Sequence, residues 1–84
     1  MDVRRVIGEN VRRYRVSAGL SQEAVAERMG VDRAYVSSLE LGKRNPTVVT
    51  LWHAALALEV SPAALLEELE ADPPEKPDPR RKEA

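Results

Sequence analysis

Apolar residues recur along the first seventy positions at intervals of three and four, and no run alternates apolar with polar. That period puts them on one side of an α-helix and predicts no sheet. Each group opens after a residue able to cap a helix. Asp2 caps a first helix with Val3, Ile7, Val11, Tyr14 and Ala18 at inward spacing, and Gly19 closes it. Ser21 opens a second, with Val25, Ala26 and Met29 inward and Gly30 at its end. Asp32 opens a third, with Val36 and Leu39 inward and Gly42 closing it; a cap is the simpler role for this carboxylate than a ligand. Thr47 caps a fourth whose core stripe is Val48, Leu51, Ala55 and Leu58. Ser61 and Pro62 supply the cap and first-turn proline of a fifth, with Leu65, Leu66 and Leu69 inward.

Beyond Glu70 the pattern stops. Four prolines stand among charges between Ala71 and Pro79, too polar and too broken to form a core. The expectation is one all-α, five-helix domain over residues 1–70 and a disordered Pro/charged tail over 71–84. A domain of about 70 residues buries only about 60% of its unfolded surface, so a second copy would add needed stability.

The net charge of −1 argues at first against a nucleic-acid ligand, but its distribution reverses that. Residues 1–45 hold nine Lys/Arg against six Asp/Glu; residues 46–70 hold four Glu and no Lys or Arg. The tail, 71–84, carries four of each sign, so net positive charge is confined to the N-terminal half, as a one-sided DNA-contacting surface requires.

Other chemistries find no residues here. Without Cys there is no disulfide, no thiol nucleophile and no Cys-based zinc site. His53 is the lone histidine and lacks partners for a metal. Glu67, Glu68 and Glu70 read as a solvated face rather than paired catalytic carboxylates. No phosphate loop or nucleophile elbow exists, so no catalytic residue, metal or cofactor is expected and the chain reads as no enzyme. The longest apolar stretch, Val48 to Leu58, is broken by Thr50 and His53 and is too short to span a membrane. No apolar segment follows the basic N-terminus, so no signal peptide is read and a cytoplasmic protein is expected.

The second and third helices are separated by almost no chain, with Gly30 closing one and Asp32 opening the next. Such a turn needs a small residue where the helices cross, met by Ala26, and a residue tolerant of positive φ, met by Gly30. Val36 and Leu39 have the spacing to point back. Those are the requirements of a helix-turn-helix.

The run Gly19-Leu20-Ser21-Gln22-Glu23, then Val25-Ala26, Gly30-Val31, Tyr35-Val36-Ser37, Leu39-Glu40 and Gly42-Lys43-Arg44-Asn45-Pro46-Thr47 resembles the Cro and phage-repressor (XRE) family. The likeness continues through Leu51, Ala55, Leu58, Val60, Ser61 and Pro62. It implies a lambda-repressor-like five-helix domain whose third helix, about 32–41, enters the major groove of double-stranded DNA. Carried over by position, Gln22 would bind a phosphate and brace the recognition helix. Arg33, Ala34 and Ser38 would face base edges, with Arg33 suited to guanine O6 and N7. Tyr35 and Ser37 would meet phosphate or a thymine methyl, and Lys43, Arg44 and Asn45 would track the backbone. Arg15 and Glu40 occupy the positions of a structural ion pair between the first and third helices.

The chain departs from the family pattern at three places. Glu59 stands where a glycine commonly ends the fourth helix, Ala34 offers only a methyl, and Leu56 replaces a usual charge. Base specificity therefore rests heavily on Arg33. Trp52, Leu56 and Val60 recur at four-residue spacing, turned away from the core stripe of the fourth helix. Either Trp52 packs under the fifth helix, or these residues form a homodimer surface. The function implied is a transcriptional regulator, simplest as a repressor, binding a pseudo-palindromic operator as a homodimer, with RNA polymerase a further partner if it activates. Restriction-modification controllers and antitoxins are both compatible subtypes. The alternative, favoured by the acidic C-terminal half, is a protein-interaction module that keeps the fold without specific DNA binding.

Overall fold

The computed structural model describes residues 2–68, which form four α-helices and one 3₁₀ helix without a strand. These are α1 (Val3–Ser17), α2 (Gln22–Met29), α3 (Arg33–Glu40), α4 (Val48–Leu58) and the 3₁₀ helix η1 (Pro62–Leu66). The expected tail, 71–84, lies outside the described residues, as does Leu69.

Side-chain caps set four of the five starts. Asp2 Oδ1 accepts from the Arg4 N–H at 3.1 Å, Ser21 Oγ from Ala24 at 3.0 Å, Thr47 Oγ1 from Thr50 at 3.0 Å and Ser61 Oγ from Ala64 at 3.3 Å. A hydrogen bond from the Arg4 side chain, then one from its backbone, holds the Asp2 carboxyl below its ordinary range. Asp32 occupies the N-cap position of α3, but its side chain makes no capping bond.

The core gathers Ile7 and Val11 from α1, Val25, Ala26 and Met29 from α2, Val36 and Leu39 from α3, and Leu65 from η1. From α4 it takes Ala54, Ala55, Ala57 and Leu58. Three alanines in that arc let neighbouring elements approach closely. The expected stripes are partly corrected. Val3 and Ala18 are exposed at the two ends of α1, and Leu66 is exposed on η1. Val48 heads α4 directly after its cap Thr47 and is also exposed, while Leu51 is only half-buried.

The fifth helix differs in kind from the expectation, being a single 3₁₀ segment. Pro62 lacks an N–H, and beyond Leu66 the chain turns extended at Glu67. Asn10 is fully buried on α1, and its Nδ2 donates to Leu65 O at 2.9 Å and Glu67 O at 2.8 Å. That amide ties the end of η1 to the middle of α1 and satisfies two carbonyls there.

Glu59 takes the left-handed conformation, φ 59° and ψ 42°, at the end of α4. The Val60 N–H then reaches Ala55 O at 3.0 Å, closing the helix as a glycine would. A side chain there carries a steric cost that glycine avoids. Glu59→Gly is expected to stabilise the domain by up to about 1 kcal/mol, raising its melting temperature by several degrees. A lower melting temperature for the variant would show that this turn is not held left-handed.

Candidate nucleic-acid interface

The site is built around α3, which packs against both α1 and α2. At the joint with α2, Gly30 has φ 77° and the Val31 N–H returns to Ala26 O at 3.0 Å. Ala26 is buried beneath that crossing, and Val36 and Leu39 point back into the core. At the other end of α3, Gly8 of α1 lies against the last carbonyls. A Cβ placed on it would come to 2.5 Å from Leu39 O and 2.7 Å from Glu40 O. The outward face of α3 is therefore set by contacts made on its inner side.

Arg15 and Glu40 come together as a two-pronged ion pair, Nε to Oε2 at 2.6 Å and Nη2 to Oε1 at 3.0 Å. The Glu40 side chain is 4% exposed and that of Arg15 14%, so solvent screens the pair little. Arg15 also donates through Nη1 to Leu20 O at 3.0 Å. The hydrogen bond to Glu40 raises the Arg15 pKa above its ordinary value against the opposing effect of burial. Gln22 extends the network. Its Nε2 donates to Glu40 Oε1 at 3.0 Å, which fixes the amide so that its Oε1 accepts from Arg33 Nη1 at 2.9 Å. A continuous chain of hydrogen bonds thus runs from the back of the domain to the first residue of α3.

On the outer side, Arg33 and Ala34 are exposed, and Tyr35, Ser37 and Ser38 are half-buried. Lys43, Arg44 and Asn45 are exposed in the segment following α3. Arg44 folds back over that helix. Its Nε donates to Ser38 Oγ at 3.0 Å, and its guanidinium carbon lies 4.9 Å from the centre of the Tyr35 ring. The Ser38 hydroxyl sits 3.1 Å from the carbonyls of both Ala34 and Tyr35.

On α4, Trp52 is 54% exposed and Leu56 62% exposed, so the tryptophan does not pack away beneath η1. Val60 is half-buried against the core and has less surface to offer. Val49, 62% exposed, falls on the same side at a three-residue interval from Trp52 and was absent from the sequence pattern. Also unforeseen were Gly8, Asn10 and Arg28, whose Nη1 caps α4 by donating to Ala57 O at 2.8 Å. A glycine and an asparagine in the middle of a helix are the available signals for the first two, because each lowers helix propensity without a local reason. Among the described residues no cluster of His, Cys, Asp or Glu could hold a metal ion, and no helix is long and apolar enough to cross a membrane.

Two short helices joined at a left-handed glycine, the second held outward by a buried ion pair, define a helix-turn-helix domain. Residues 11–65 match the helix-turn-helix family HTH_3, and the chain belongs to this family, of the XRE type. The HTH-type transcriptional regulator y4dJ of Sinorhizobium fredii, itself uncharacterized, is 50% identical over 66 residues, 79% of this chain and 86% of that protein. Control protein C.SmaI of Serratia marcescens is 46% identical over 66 residues, 79% of each chain. The restriction-modification controller protein C.Esp1396I, solved as a tetramer in complex with its natural 35 base-pair operator, matches with a TM-score of 0.71. That likeness carries 28% identity and covers 77% of this chain and 86% of the other. The chain is a transcriptional regulator with a helix-turn-helix domain, in a family of regulators rather than enzymes.

Proposed function

We propose that this chain is a cytoplasmic homodimeric repressor that binds a pseudo-palindromic DNA operator, with α3 of each copy in successive major grooves. The observation that carries the reading is the hydrogen-bonded chain from Arg15 through Glu40 and Gln22 to Arg33. The Arg15–Glu40 pair stabilises the domain by itself, but its extension through Gln22 also orients an exposed arginine at the first residue of α3, where a groove contact would need it. In the groove Arg33 would pair with guanine O6 and N7, and the Ala34 methyl would lie against a thymine methyl. Gln22, Tyr35 and Ser37 would hold flanking phosphates, with Lys43 and Asn45 tracking the backbone.

The second copy would dock on the side of α4 that carries Val49, Trp52 and Leu56, an apolar face opposite the buried alanines. Likeness to C.SmaI and to the operator-bound C.Esp1396I tetramer supports a restriction-modification controller as the subtype. Repression by occluding RNA polymerase needs no residue beyond those named.

Selection from a random duplex library at moderate salt tests the reading. The expected product is a two-fold symmetric motif with half-sites about 10 bp apart. Arg33→Ala should weaken binding to it by about 1–3 kcal/mol and relax one position per half-site. Trp52→Ala with Leu56→Glu should halve the solution mass while leaving the helical content intact. No enrichment by folded protein would instead favour a protein-interaction module.

A further inference from the structure

By position in the motif, Arg44 belongs with the residues that follow the DNA backbone, and Ser38 with those that face base edges. Their side chains are arranged otherwise. Ser38 is occupied on both counts: its hydroxyl lies within hydrogen-bond distance of the Ala34 and Tyr35 carbonyls, and its oxygen accepts from Arg44 Nε. A hydroxyl has one proton to give, and here it is directed into its own helix. Arg44, by contrast, is held at two points, by Ser38 and over the ring of Tyr35, and remains exposed. Nε is used; the four N–H groups on Nη1 and Nη2 are not used by any described residue.

A phosphate contact needs only a mobile cation, and Lys43 next in the chain supplies one. A guanidinium whose plane and direction are fixed over the outer face of the groove-entering helix has the preparation a base contact needs. Its paired terminal N–H groups match the two acceptors of guanine. Resting on the operator-binding reading above, we propose that Arg44 is a second specificity-determining residue that reads a guanine in each half-site, with Ser38 and Tyr35 as its positioning residues.

The test compares base preferences of the full-length protein and its variants, measured by selection from the duplex library and by titration on single-base operator variants. Wild type should show, in each half-site, a guanine whose replacement costs about tenfold in affinity and which differs from the position relaxed by Arg33→Ala. Arg44→Lys keeps the charge but loses the fork and the fixed plane. It should reduce that discrimination to under about threefold at this position alone, with the salt dependence of binding unchanged. Ser38→Ala should weaken the same position and Ser38→Thr restore it, and Ser38→Ala should add nothing once Arg44 is lysine. All these side chains lie on the surface side of α3, so unchanged thermal melts control for folding.

Retention of every base preference by Arg44→Lys, with a uniform loss of affinity, would overturn the proposal in favour of a phosphate contact. Relaxation by Ser38→Ala at a position that Arg44→Lys leaves alone would also overturn it, by making Ser38 itself the reader. Enrichment of no sequence by wild type would remove the operator-binding reading and this proposal with it. A selected motif indifferent to Arg44 would remove this proposal only.

Discussion

Gly8→Ala is expected to destabilise the domain by about 3 kcal/mol, at the upper end of the cost of overpacking. The added methyl would sit 2.5 Å from Leu39 O and 2.7 Å from Glu40 O, well inside ordinary carbon–oxygen contact. Both obstacles are backbone atoms at the end of α3, so no rotamer change relieves them. Alanine gains up to about 1 kcal/mol of helix propensity over glycine, which is too small to offset the clash. In a domain this small each kcal/mol moves the melting temperature by about 4–8 °C, so a drop of more than about 12 °C is expected by circular dichroism. If the variant melts within about 3 °C of wild type, α1 and α3 do not approach as closely as described. Relief would otherwise come by α3 moving off α1, which would misplace the recognition surface. Operator affinity should therefore fall even at temperatures where the variant remains folded.

Removing Glu40 is the second large effect. Glu40→Ala strands a guanidinium that is 14% exposed on its side chain, and leaves Gln22 Nε2 without its acceptor. Breaking one partner of a buried pair costs about 3–5 kcal/mol, chiefly because the surviving charge is left without compensation. Urea denaturation of Arg15→Ala, Glu40→Ala and the double variant gives the coupling. The double variant should be about as unstable as the worse single one, since the pair acts as a unit. Single costs under about 1 kcal/mol would mean that water screens the pair after all. The sign on the alkaline side is fixed by Arg15, whose pKa is raised by the hydrogen bond to Glu40. Its contribution is complete below the ordinary arginine value and is lost only as pH rises through the raised one, beyond the working range of the protein. At equal folded fraction, Glu40→Ala should still bind operator more weakly, because Gln22 no longer has its amide oriented toward Arg33.

Much of this was legible in the chain because it depends on neighbours. A cap is a residue bonding an N–H two or three positions on, as Ser21, Thr47 and Ser61 do here. The helix-turn-helix joint needs only Ala26 and Gly30, and the left-handed turn at Glu59 stands where the motif called for a glycine. Helical periodicity marked Ile7, Val11, Val25, Val36 and Leu39 as inward, and all are buried. Periodicity weakens at helix ends, where the facing element stops, and Val3, Ala18 and Val48 are exposed for that reason.

Local residue patterns placed the helix starts, their order, and the tight joint between α2 and α3. Each is a property of residues within one or two helical turns. Packing between distant elements settled the rest. How the end of η1 is anchored was decided by Asn10, whose amide binds the carbonyl of Leu65 from 55 positions away. Whether α3 could press against α1 was decided by the absence of a Cβ at Gly8. Where Arg33 and Arg44 point was decided by Gln22, 11 residues back, and by Ser38 and Tyr35 on the helix that Arg44 has already left. A hydrogen bond between distant side chains exists only once packing has brought its partners within about 3 Å, and no local propensity encodes that distance.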